Sequence, residues 1–467
     1  MKANPAIDLL IELYEKQFGE VPSVESVAGG GSSRQYYRLK SNGSPSIIGA
    51  FCEDISENKT FIELDRVFVN EKLPVPQILA INEDYRAYLL QDLGNISLFE
   101  ELKTGDKILF AKNALKTLIE FQTVPENKWA KLTAYSPFNE RQVRWDLNYF
   151  KYDFLKPSGV FFDEAKLEDD FDKFVHDLLD YNIKLNGFMY RDFQSRNIMI
   201  DCGKLWMIDF QGGRKGPVVY DAVSFLWQAR SPFSYEEKRY LADYYCELAA
   251  HRLCLPESEI KSEILPFTLF RTLQVLGAYG LRGIIEKKSH FIESIPFAIK
   301  NLKYLRNKGV LDRYPEIKKI SQTLDSSAYT ISEPNEGLTV TVFSFSYKKG
   351  YPIDLTGNGG GFMFDCRGMH NPGRYNEFKN LTGKDPQVKE FLASKGECLT
   401  FVNNALTLVN PTIENYINRG FNSLQIGFGC TGGQHRSVYC AELFSDKLKS
   451  LFPEIIVKTV HRENICI

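Results

Sequence analysis

The chain has 467 residues, of which 43% are hydrophobic and 25% are charged, and 57 basic against 59 acidic side chains give a formal net charge of −2. This length predicts about three folding units rather than one hydrophobic core. The near-neutral charge does not indicate nucleic-acid binding or an acidic membrane partner, so a multidomain globular protein is expected.

The N-terminus and the cysteines favour a cytoplasmic location. The segment MKANPAIDLLIELYEKQFGE mixes acidic and apolar residues and has no small-residue cleavage site, so it predicts an amphipathic helix rather than a signal peptide. We expect no stretch long enough to span a bilayer. The nine cysteines are odd in number and form no CxxC pair, which is typical of a reducing compartment.

Residues 1–93 predict a small α+β lobe. The β-rich runs VESVAGGG and SSRQYYRLK are followed by an SNGS turn and the strand SIIGAF, which indicates an antiparallel sheet. A helix is expected near Lys59 to Val69, and the strand AYLLQDLG then ends at Gly94.

Residues 94–324 predict a mainly helical lobe, interrupted by the two short strands IMID and KLWMIDF. The stretch from Ser321 to Gly337 is rich in Ser and Pro, and we assign 325–337 as a linker. Residues 338–467 alternate strands and helices, which is typical of a compact α/β domain. The predicted fold class is therefore multidomain, α+β followed by α/β.

The segment GFMYRDFQSRNIMIDCGKLWMIDFQ contains Asp192, Asn197 five residues later and Asp209 after a short hairpin. Phosphoryl transfer needs a carboxylate beside the attacking hydroxyl and oxygen ligands for Mg²⁺ on the nucleotide phosphates. We interpret Asp192 as the catalytic residue and Asn197 and Asp209 as metal ligands, with Arg191 and Arg196 bracing the loop. The alternative is a polar turn between two strands.

This segment resembles the aminoglycoside phosphotransferase and choline kinase superfamily, whose loops read H-x-D-x4-N followed by I-D-[FWY]. The flanks GPVVYDAVSFLWQ, DFQ, SSRQYYR and LLQDLG are similar to the anomeric kinases of peptidoglycan recycling (AmgK), over about residues 5–310. The resemblance implies a bilobal protein-kinase-like fold, ATP and Mg²⁺ as cofactors, and phosphorylation of N-acetylmuramate or N-acetylglucosamine at the C1 hydroxyl.

Further kinase-site residues follow from glycine chemistry and from this resemblance. A glycine-rich loop lets backbone N–H groups approach phosphates, although an ordinary hairpin turn has the same composition. Asp146 matches an acidic position that faces the sugar, and a solvated helix charge is the alternative. The expected ATP-binding residues are Gly30, Gly31, Ser32, Ser33, Gln91 and Asp92.

Two positions depart from the superfamily pattern. Tyr190 stands where the catalytic loop usually begins with His, and we expect it to support the loop geometry. The strand SIIGAF has no lysine to hold the α and β phosphates, which leaves Glu63 without its usual partner. Lys40 or Arg38 is expected to substitute.

The strand LQIGFG leads into the loop Cys430 to Ser437 and then into a helix. Backbone N–H groups and the helix dipole at such a junction favour phosphate binding, and Arg436 would add bidentate contacts. A plain glycine turn is the alternative. Cys430 and Arg436 also satisfy the C-x5-R pattern of tyrosine phosphatases, in which a thiolate attacks phosphate, so phosphatase is a second hypothesis.

The segments SFSYKKGYP, FDCRGMHNPGRY, LTGKDPQVKEFL, GCTGGQHRSV and VHRE resemble the C-terminal domain of RapZ, an RNase adapter, over about residues 338–465. That resemblance implies a glucosamine 6-phosphate sensor, and it leaves a homo-oligomer and a protein partner open. The implied phosphosugar site comprises Lys348, Asp365, Arg367, Asn371, Cys430, Thr431, Gly432, Gly433, His435, Arg436 and His461. A metal site formed by His370, His435 and His461 is an alternative without supporting ligand spacing.

The sequence therefore predicts a cytoplasmic ATP- and Mg²⁺-dependent amino-sugar kinase joined to a domain that binds an amino-sugar phosphate. The alternatives are a C-terminal phosphatase and a non-catalytic sensor or adapter whose kinase lobe is degenerate. Small molecules, an amino sugar and a nucleotide, are the expected partners.

Overall fold

The structure is a computed structural model that describes residues 4–27, 34–180, 186–324, 329, 337–352 and 361–464. It divides into two compact units. The first consists of Met1–Leu147, Asp163–Leu273 and Asn301–Lys319, and the second of Asn148–Phe162, Gln274–Lys300 and Ile320–Ile467. Nearly all of the predicted linker 325–337 lies outside the described residues, whereas Ser321 to Thr323, placed in the linker-like stretch by composition, are helical.

The strands of the described residues form four sheets. They are β1 Ser23–Val27, β2 Gln35–Lys40, β3 Ile47–Phe51, β4 Ile78–Ile81, β5 Ala87–Gln91, β6 Asn186–Met189, β7 Ile198–Asp201, β8 Lys204–Met207, β9 Arg214–Pro217, β10 Thr339–Ser346, β11 Gly361–Asp365, β12 Ser423–Cys430 and β13 Ile456–His461. The sheet orders are β1-β2-β3-β5-β4, β6-β9, β7-β8 and β11-β12-β10-β13.

Helices make up most of the remaining described structure. They are α1 Pro5–Phe18, α2 Ile55–Asn70, α3 Leu98–Thr104, α4 Lys107–Gln122, α5 Glu126–Trp129, α6 Glu140–Tyr149, α7 Lys156–Ser158, α8 Glu164–Asp180, α9 Val219–Leu226, α10 Tyr235–Leu253, α11 Glu257–Tyr279, α12 Ser289–Ile292, α13 Ile295–Asn307, α14 Pro315–Thr323, α15 Pro386–Ser394, α16 Glu397–Asn418 and α17 Arg436–Leu451. Two π-helical segments, Phe150–Leu155 and Gly280–Ile285, extend α6 and α11.

The first unit opens with α1 packed on the five-stranded antiparallel sheet, as the sequence predicted for an α+β lobe. Asn4 caps α1 by accepting the backbone N–H of Ala6 at 3.1 Å, and Gly19 ends it with φ 75°, a left-handed conformation that favours glycine. Leu10 and Tyr14 of α1 are fully buried in the core between this helix and the sheet.

The second unit contains a four-stranded sheet in which every adjacent pair of strands is parallel. This arrangement confirms the α/β class predicted for the C-terminal region. Strand β12 is buried along nearly its whole length, and its Leu424, Ile426 and Phe428 join the core formed with α15, α16 and α17. Because parallel strands share one direction, the loops after all four strands meet at one sheet edge, where open α/β sheets bind ligands.

One helix in the described part of the chain, Glu257–Ile285 including its π-helical end, is long and apolar enough by composition to cross a membrane, and 61% of its apolar window is buried. The expectation that no stretch reaches this length is therefore wrong, because α11 alone runs for 23 residues before its π-helical end. The core helix of a globular protein passes the same test, so this helix is weak evidence for a membrane span.

Candidate active site

Two predicted side chains and the backbone of a third predicted residue meet at the candidate catalytic loop. Asn197, in a short 3₁₀ turn before β7, donates from Nδ2 to the backbone carbonyl of Asp192 at 2.9 Å and to Oδ2 of Asp209 at 3.1 Å. Asp209 follows β8 with φ 69°, a left-handed conformation that is costly for a residue with a side chain and is common at functional sites. The structure thus places a half-buried carboxylate, an amide and a second carboxylate within one small region.

Asp221, in α9, anchors the catalytic loop and was not predicted as a site residue. Its fully buried carboxylate accepts the backbone N–H of Tyr190 at 2.7 Å and that of Arg191 at 2.8 Å, and Gln122 donates to it at 3.3 Å. The hydrogen bonds lower the pKa of Asp221, but burial has the larger effect and raises that pKa to about 7. Since Arg191 has φ 78°, the two backbone contacts hold the loop in a strained turn just before Asp192.

Tyr190 occupies the position of the superfamily histidine and connects the two halves of the site. Its hydroxyl donates to the backbone carbonyl of Ile208, beside Asp209, at 2.6 Å. The fully buried ring packs edge-on against Phe121, Phe193 and Phe210. Burial raises the pKa of Tyr190 well above its ordinary value, so the hydroxyl remains a donor.

Arg191 ties the loop to two neighbouring elements. It donates to the hydroxyl of Tyr220 at 3.0 Å and to Oδ2 of Asp146 at 3.2 Å. Asp146, which was predicted to bind sugar, therefore forms an ion pair with this loop arginine. Only 8% of Asp146 is exposed. The exposed Arg196 stacks over the ring of Phe99 at 4.8 Å and braces the loop through α3.

Asp192 lies in a mixed electrostatic environment. Burial raises its pKa, the nearby Asp209 raises it further, and the guanidinium groups of Arg271, Arg191 and Arg214 lower it. A carboxylate balanced in this way is suited to orient a hydroxyl group and accept its proton.

A polar chain connects the metal position to the first lobe. Gln211 donates from Nε2 to Oδ1 of Asp209 at 2.8 Å and to Oε1 of Glu57 at 3.2 Å. Nη2 of Arg34 lies 3.3 Å from the same Glu57 oxygen. The sequence analysis missed this chain: it considered only Glu63, which it left without its usual partner, and Glu63 is exposed on α2.

The donor set fits a divalent ion that is shared with nucleotide phosphates. Asp209 supplies a carboxylate and Asn197 an amide oxygen, the hard oxygen ligands that Mg²⁺ prefers. Among the described residues no group of three His, Cys, Asp or Glu side chains forms a metal site by itself. Phosphate and water oxygens would therefore complete the coordination.

The expected ATP-binding residues fall into two groups. Gly30, Gly31, Ser32 and Ser33 lie outside the described residues. Asp92, just after β5, accepts from Nε of Arg38 at 2.6 Å, from the hydroxyl of Ser46 at 2.7 Å and from the backbone of Gly94 at 2.9 Å. Its side chain thus stabilises the turn where the lobes join, and Gln91 accepts from the backbone of Gln77 at 3.4 Å.

The C-terminal candidates meet at the carboxyl edge of the parallel sheet. Lys348 is exposed after β10, and Asp365 and Arg367 form an exposed ion pair at 2.7 Å after β11. Asn371 accepts the backbone N–H of Gly373 at 3.3 Å. His461, at the end of β13, contacts Ser344 and Glu442 and is described with the other histidines below.

The loop after β12 is built around Cys430. Its thiol accepts the backbone N–H of Gly433 at 3.2 Å and lies 3.1 Å from the hydroxyl of Ser437. Thr431 and Gly432 are exposed at the N-terminus of α17. Arg436 donates from Nη1 to the carbonyls of Arg367 and Met369 at 2.8 and 3.0 Å, so it holds the loop together instead of presenting that nitrogen to a phosphate as predicted.

The three histidines proposed as an alternative metal site have separate partners. His370 pairs with Glu397 at 2.8 Å, and His435 donates to the carbonyl of Phe378 at 2.8 Å. His461 lies 2.8 Å from Ser344 and 2.6 Å from Glu442. Burial lowers the pKa of His461. Nothing in the described part of the chain therefore supports that metal site.

Comparison with known families agrees with this geometry. Residues 23–255 match the family model described as the phosphotransferase enzyme family, and the elements described above have the two-lobe, kinase-like arrangement expected for it. Residues 338–464 match the RapZ C-terminal domain. The chain therefore carries a phosphotransferase-family domain followed by a RapZ C-terminal domain, which confirms the superfamily and the RapZ resemblances predicted from the sequence. The narrower resemblance to the anomeric kinases stays a prediction.

The curated relatives share only part of the chain. It is 36% identical over 128 residues to a nucleotide-binding protein of Ruminiclostridium cellulolyticum, covering 27% of this chain and 42% of that protein. It is 30% identical over 172 residues to one of Desulforudis audaxviator, covering 37% and 56%. The chain thus spans about half the length of these relatives or less.

Solved structures resemble the kinase domain in outline. An ethanolamine kinase of Plasmodium vivax has 16% identity and a TM-score of 0.46, covering 62% of this chain and 85% of that one. Choline kinase LicA of Streptococcus pneumoniae has 12% identity and a TM-score of 0.45, covering 64% and 98%. The fold assignment rests on the family match and on the elements described above.

Proposed function

We propose that the chain is a cytoplasmic kinase that transfers the γ-phosphoryl group of ATP to the anomeric hydroxyl of N-acetylmuramate or N-acetylglucosamine, in the recycling of peptidoglycan sugars. The observation that carries the proposal is the convergence of Asp192, Asn197 and Asp209 on a loop anchored by Asp221. Phosphoryl transfer depends mainly on positioning and electrostatic stabilisation, which such a rigid loop provides.

In this proposal each residue has a distinct role. Asp192 orients the C1 hydroxyl in line with the γ-phosphorus and accepts its proton as the new P–O bond forms and ADP leaves. Asn197 and Asp209 would hold Mg²⁺, which neutralises charge on the phosphates when bound. Asp221 keeps the backbone before Asp192 in the required conformation.

The charges around Asp192 favour an acidic acceptor. Arg191, Arg214 and Arg271 lower the pKa of Asp192 and Asp209 raises it, so three guanidinium groups and one further carboxylate act on the acceptor region. The lactyl carboxylate of N-acetylmuramate suits such a region, whereas the cationic groups of choline and aminoglycosides would be repelled. We therefore place N-acetylmuramate first among the acceptors.

A substrate panel tests the acceptor. The full chain is incubated with ATP and Mg²⁺ and with N-acetylmuramate, N-acetylglucosamine, choline or an aminoglycoside, and ADP release and acid-labile phosphate are measured. We expect both signals with the two sugars, and their loss in Asp192→Asn. Asp169→Asn, at an exposed position of α8, is the matched control and should keep full activity. Turnover of choline or aminoglycoside alone would refute the sugar assignment.

For the C-terminal domain we propose binding of an amino-sugar phosphate such as glucosamine 6-phosphate. The support is the exposed backbone of Thr431 and Gly432 at the N-terminus of the 16-residue helix α17, with Lys348 at the same sheet edge. Calorimetric titration of the full chain tests binding. If the ligand regulates the kinase, it must also change the rate of phosphoryl transfer, and an unchanged rate would refute regulation.

Phosphatase activity is a second candidate because the Cys430 thiol accepts a backbone N–H and contacts the Ser437 hydroxyl, as a nucleophilic thiolate requires. Its 3% exposure and the carbonyl partners of Arg436 oppose this reading. Release of phosphate that disappears in Cys430→Ser would establish it. Phosphosugar binding without either reaction would indicate a sensor or adapter instead.

A further inference from the structure

Strand β3 lacks the cation that a kinase-like fold normally provides there. In protein kinases a lysine on this strand contacts the α and β phosphates and pairs with a glutamate of the following helix. The central position here is Ala50, which lies opposite Tyr36 of β2 and Tyr88 of β5. Cross-strand partners project on one face of a sheet, so these three side chains share a face.

This face is directed toward the catalytic elements. The ring of Tyr88 stacks on Phe61 of α2 with centroids 5.3 Å apart, and Phe61 stacks on Phe210 at 4.7 Å. Phe210 immediately follows Asp209. A cation placed on this face of the sheet is therefore next to the metal position.

A cation on this face belongs to Arg34, the residue immediately before β2. It lies two residues before Tyr36, and by strand alternation it shares the face of Tyr36 and Ala50. Only 3% of Arg34 is exposed, and its guanidinium lies over the ring of Phe61 at 5.9 Å. It pairs with Glu57 in the first turn of α2 at 3.3 Å.

The pairing extends to the metal ligand. Gln211 bridges Glu57 and Asp209, at 3.2 and 2.8 Å. The buried arginine thus pairs directly with the glutamate of α2, and the amide of Gln211 connects that glutamate to Asp209. In other kinases the lysine and the helix glutamate likewise lie beside the aspartate that binds the metal.

The two cations expected from the sequence do not occupy this position. Arg38 is bound to Asp92 through Nε at 2.6 Å and Nη2 at 3.1 Å, at the end of β2 that faces the lobe junction. Lys40 is exposed at the last residue of the same strand.

We propose that Arg34 replaces the missing strand lysine, so that its guanidinium binds the α and β phosphates of the nucleotide while Glu57 holds it in place. The inference deepens the proposed function, because it concerns the nucleotide half of the same site and not the acceptor. A guanidinium presents paired donors that match two phosphate oxygens, and burial strengthens such charge-assisted contacts.

Nucleotide binding without acceptor tests this role. Dissociation constants of MgADP and of adenosine are measured calorimetrically on the full chain for wild type, Arg34→Met, Arg34→Lys and Glu57→Gln. We expect Arg34→Met to weaken MgADP about 10- to 100-fold, as loss of one or two charge-assisted contacts predicts, with adenosine changed less than about twofold. The lysine and glutamine variants should show smaller, phosphate-selective losses. Arg86→Met, at a partly exposed arginine of the same lobe paired with Asp84, is the control with wild-type affinity.

Three results would overturn the proposal: wild-type MgADP affinity in Arg34→Met, an equal loss for adenosine, or the same loss in Arg86→Met. If thermal denaturation shows that Arg34→Met does not fold, Arg34→Lys and Glu57→Gln decide the question, and wild-type MgADP affinity in both refutes the role. The binding measurements contain no sugar, so they are independent of the acceptor. If the sugar panel is negative but Arg34→Met still weakens MgADP more than adenosine, the proposed acceptor is wrong and the role of Arg34 stands.

Discussion

Replacing Asp221 by alanine removes the acceptor of two buried backbone N–H groups, those of Tyr190 and Arg191. Each buried donor left without a partner costs about 1–3 kcal/mol. The left-handed turn at Arg191 also loses the contact that maintains it. We therefore expect the variant to lose about 2–6 kcal/mol of unfolding free energy, and its kcat to fall about 100-fold or more because Asp192 is misplaced.

A second expectation concerns how the stability of wild type, relative to the milder variant Asp221→Asn, changes with pH. Burial raises the pKa of Asp221 from 3.8 to about 7, so the folded chain holds a proton that the unfolded chain has released between these pH values. The stability contributed by Asp221 therefore falls as pH rises from about 4 to about 7, by about 1.4 kcal/mol per unit. The stability difference between wild type and Asp221→Asn should shrink by roughly 2–3 kcal/mol from pH 5 to pH 7.

Denaturant titration of the full chain at several pH values measures these differences, and a coupled ADP assay measures kcat. The control is Asp65→Asn, which removes a second buried carboxyl, on α2, whose pKa burial also raises to about 7. It should show the same pH trend and keep kcat. An Asp221→Ala variant within about 1 kcal/mol and threefold in kcat of wild type would refute the anchoring role.

Three further outcomes are expected. Asp192→Asn should lower kcat by about 10²- to 10⁴-fold while MgADP affinity, measured calorimetrically, stays at the wild-type value; a parallel loss of affinity would contradict a role confined to the acceptor. Asp209→Asn should raise the Mg²⁺ concentration needed for half-maximal rate by at least tenfold, and an unchanged requirement would exclude Asp209 as a ligand. Tyr190→Phe removes the hydrogen bond to Ile208 and should cost about 0.5–1.5 kcal/mol of stability, whereas Tyr190→His should keep measurable turnover.

The candidate catalytic residues could be brought together from the sequence because their motif is local. Asp192 and Asn197 are five residues apart, and only a short hairpin separates them from Asp209, so spacing alone brings them together. The anchoring role of Asp221 was missed because it joins segments 30 residues apart. The available signal was a charged residue in the apolar helix VYDAVSFL, every residue of which is buried.

The sequence analysis took Glu63, left without a partner, as the relevant glutamate of α2 and missed the ion pair that Glu57 forms with Arg34. Glu57 and Phe61 are four residues apart and therefore share a face of α2. Glu63 is six residues from Glu57, so at about 100° per residue its side chain lies about 120° around the helix from that face. The buried residues of α2, including Phe61, Asp65 and Phe68, define the inward side. Sequence spacing alone did not show which arginine would meet it, since Arg34 precedes its strand.

The C-terminal domain shows the reverse situation. Its strands and the loop from Cys430 were predicted, because a glycine-bearing strand–helix junction is a local pattern. The partners of Arg436 were not, since the carbonyls of Arg367 and Met369 come from a different strand end. The family match fixes the domain type, while the identity of its ligand rests on the proposed titration.

The position of the transferred phosphate tests the central claim most directly. N-acetylmuramate is incubated with ATP, Mg²⁺ and the full chain, and phosphorus NMR of the product reports whether the phosphate couples to the anomeric proton. The account predicts this coupling, one ADP per product and an initial rate of product formation lowered about 10²- to 10⁴-fold in Asp192→Asn. A phosphate on another hydroxyl, or no phosphorylated sugar from a chain that binds MgADP, would contradict it.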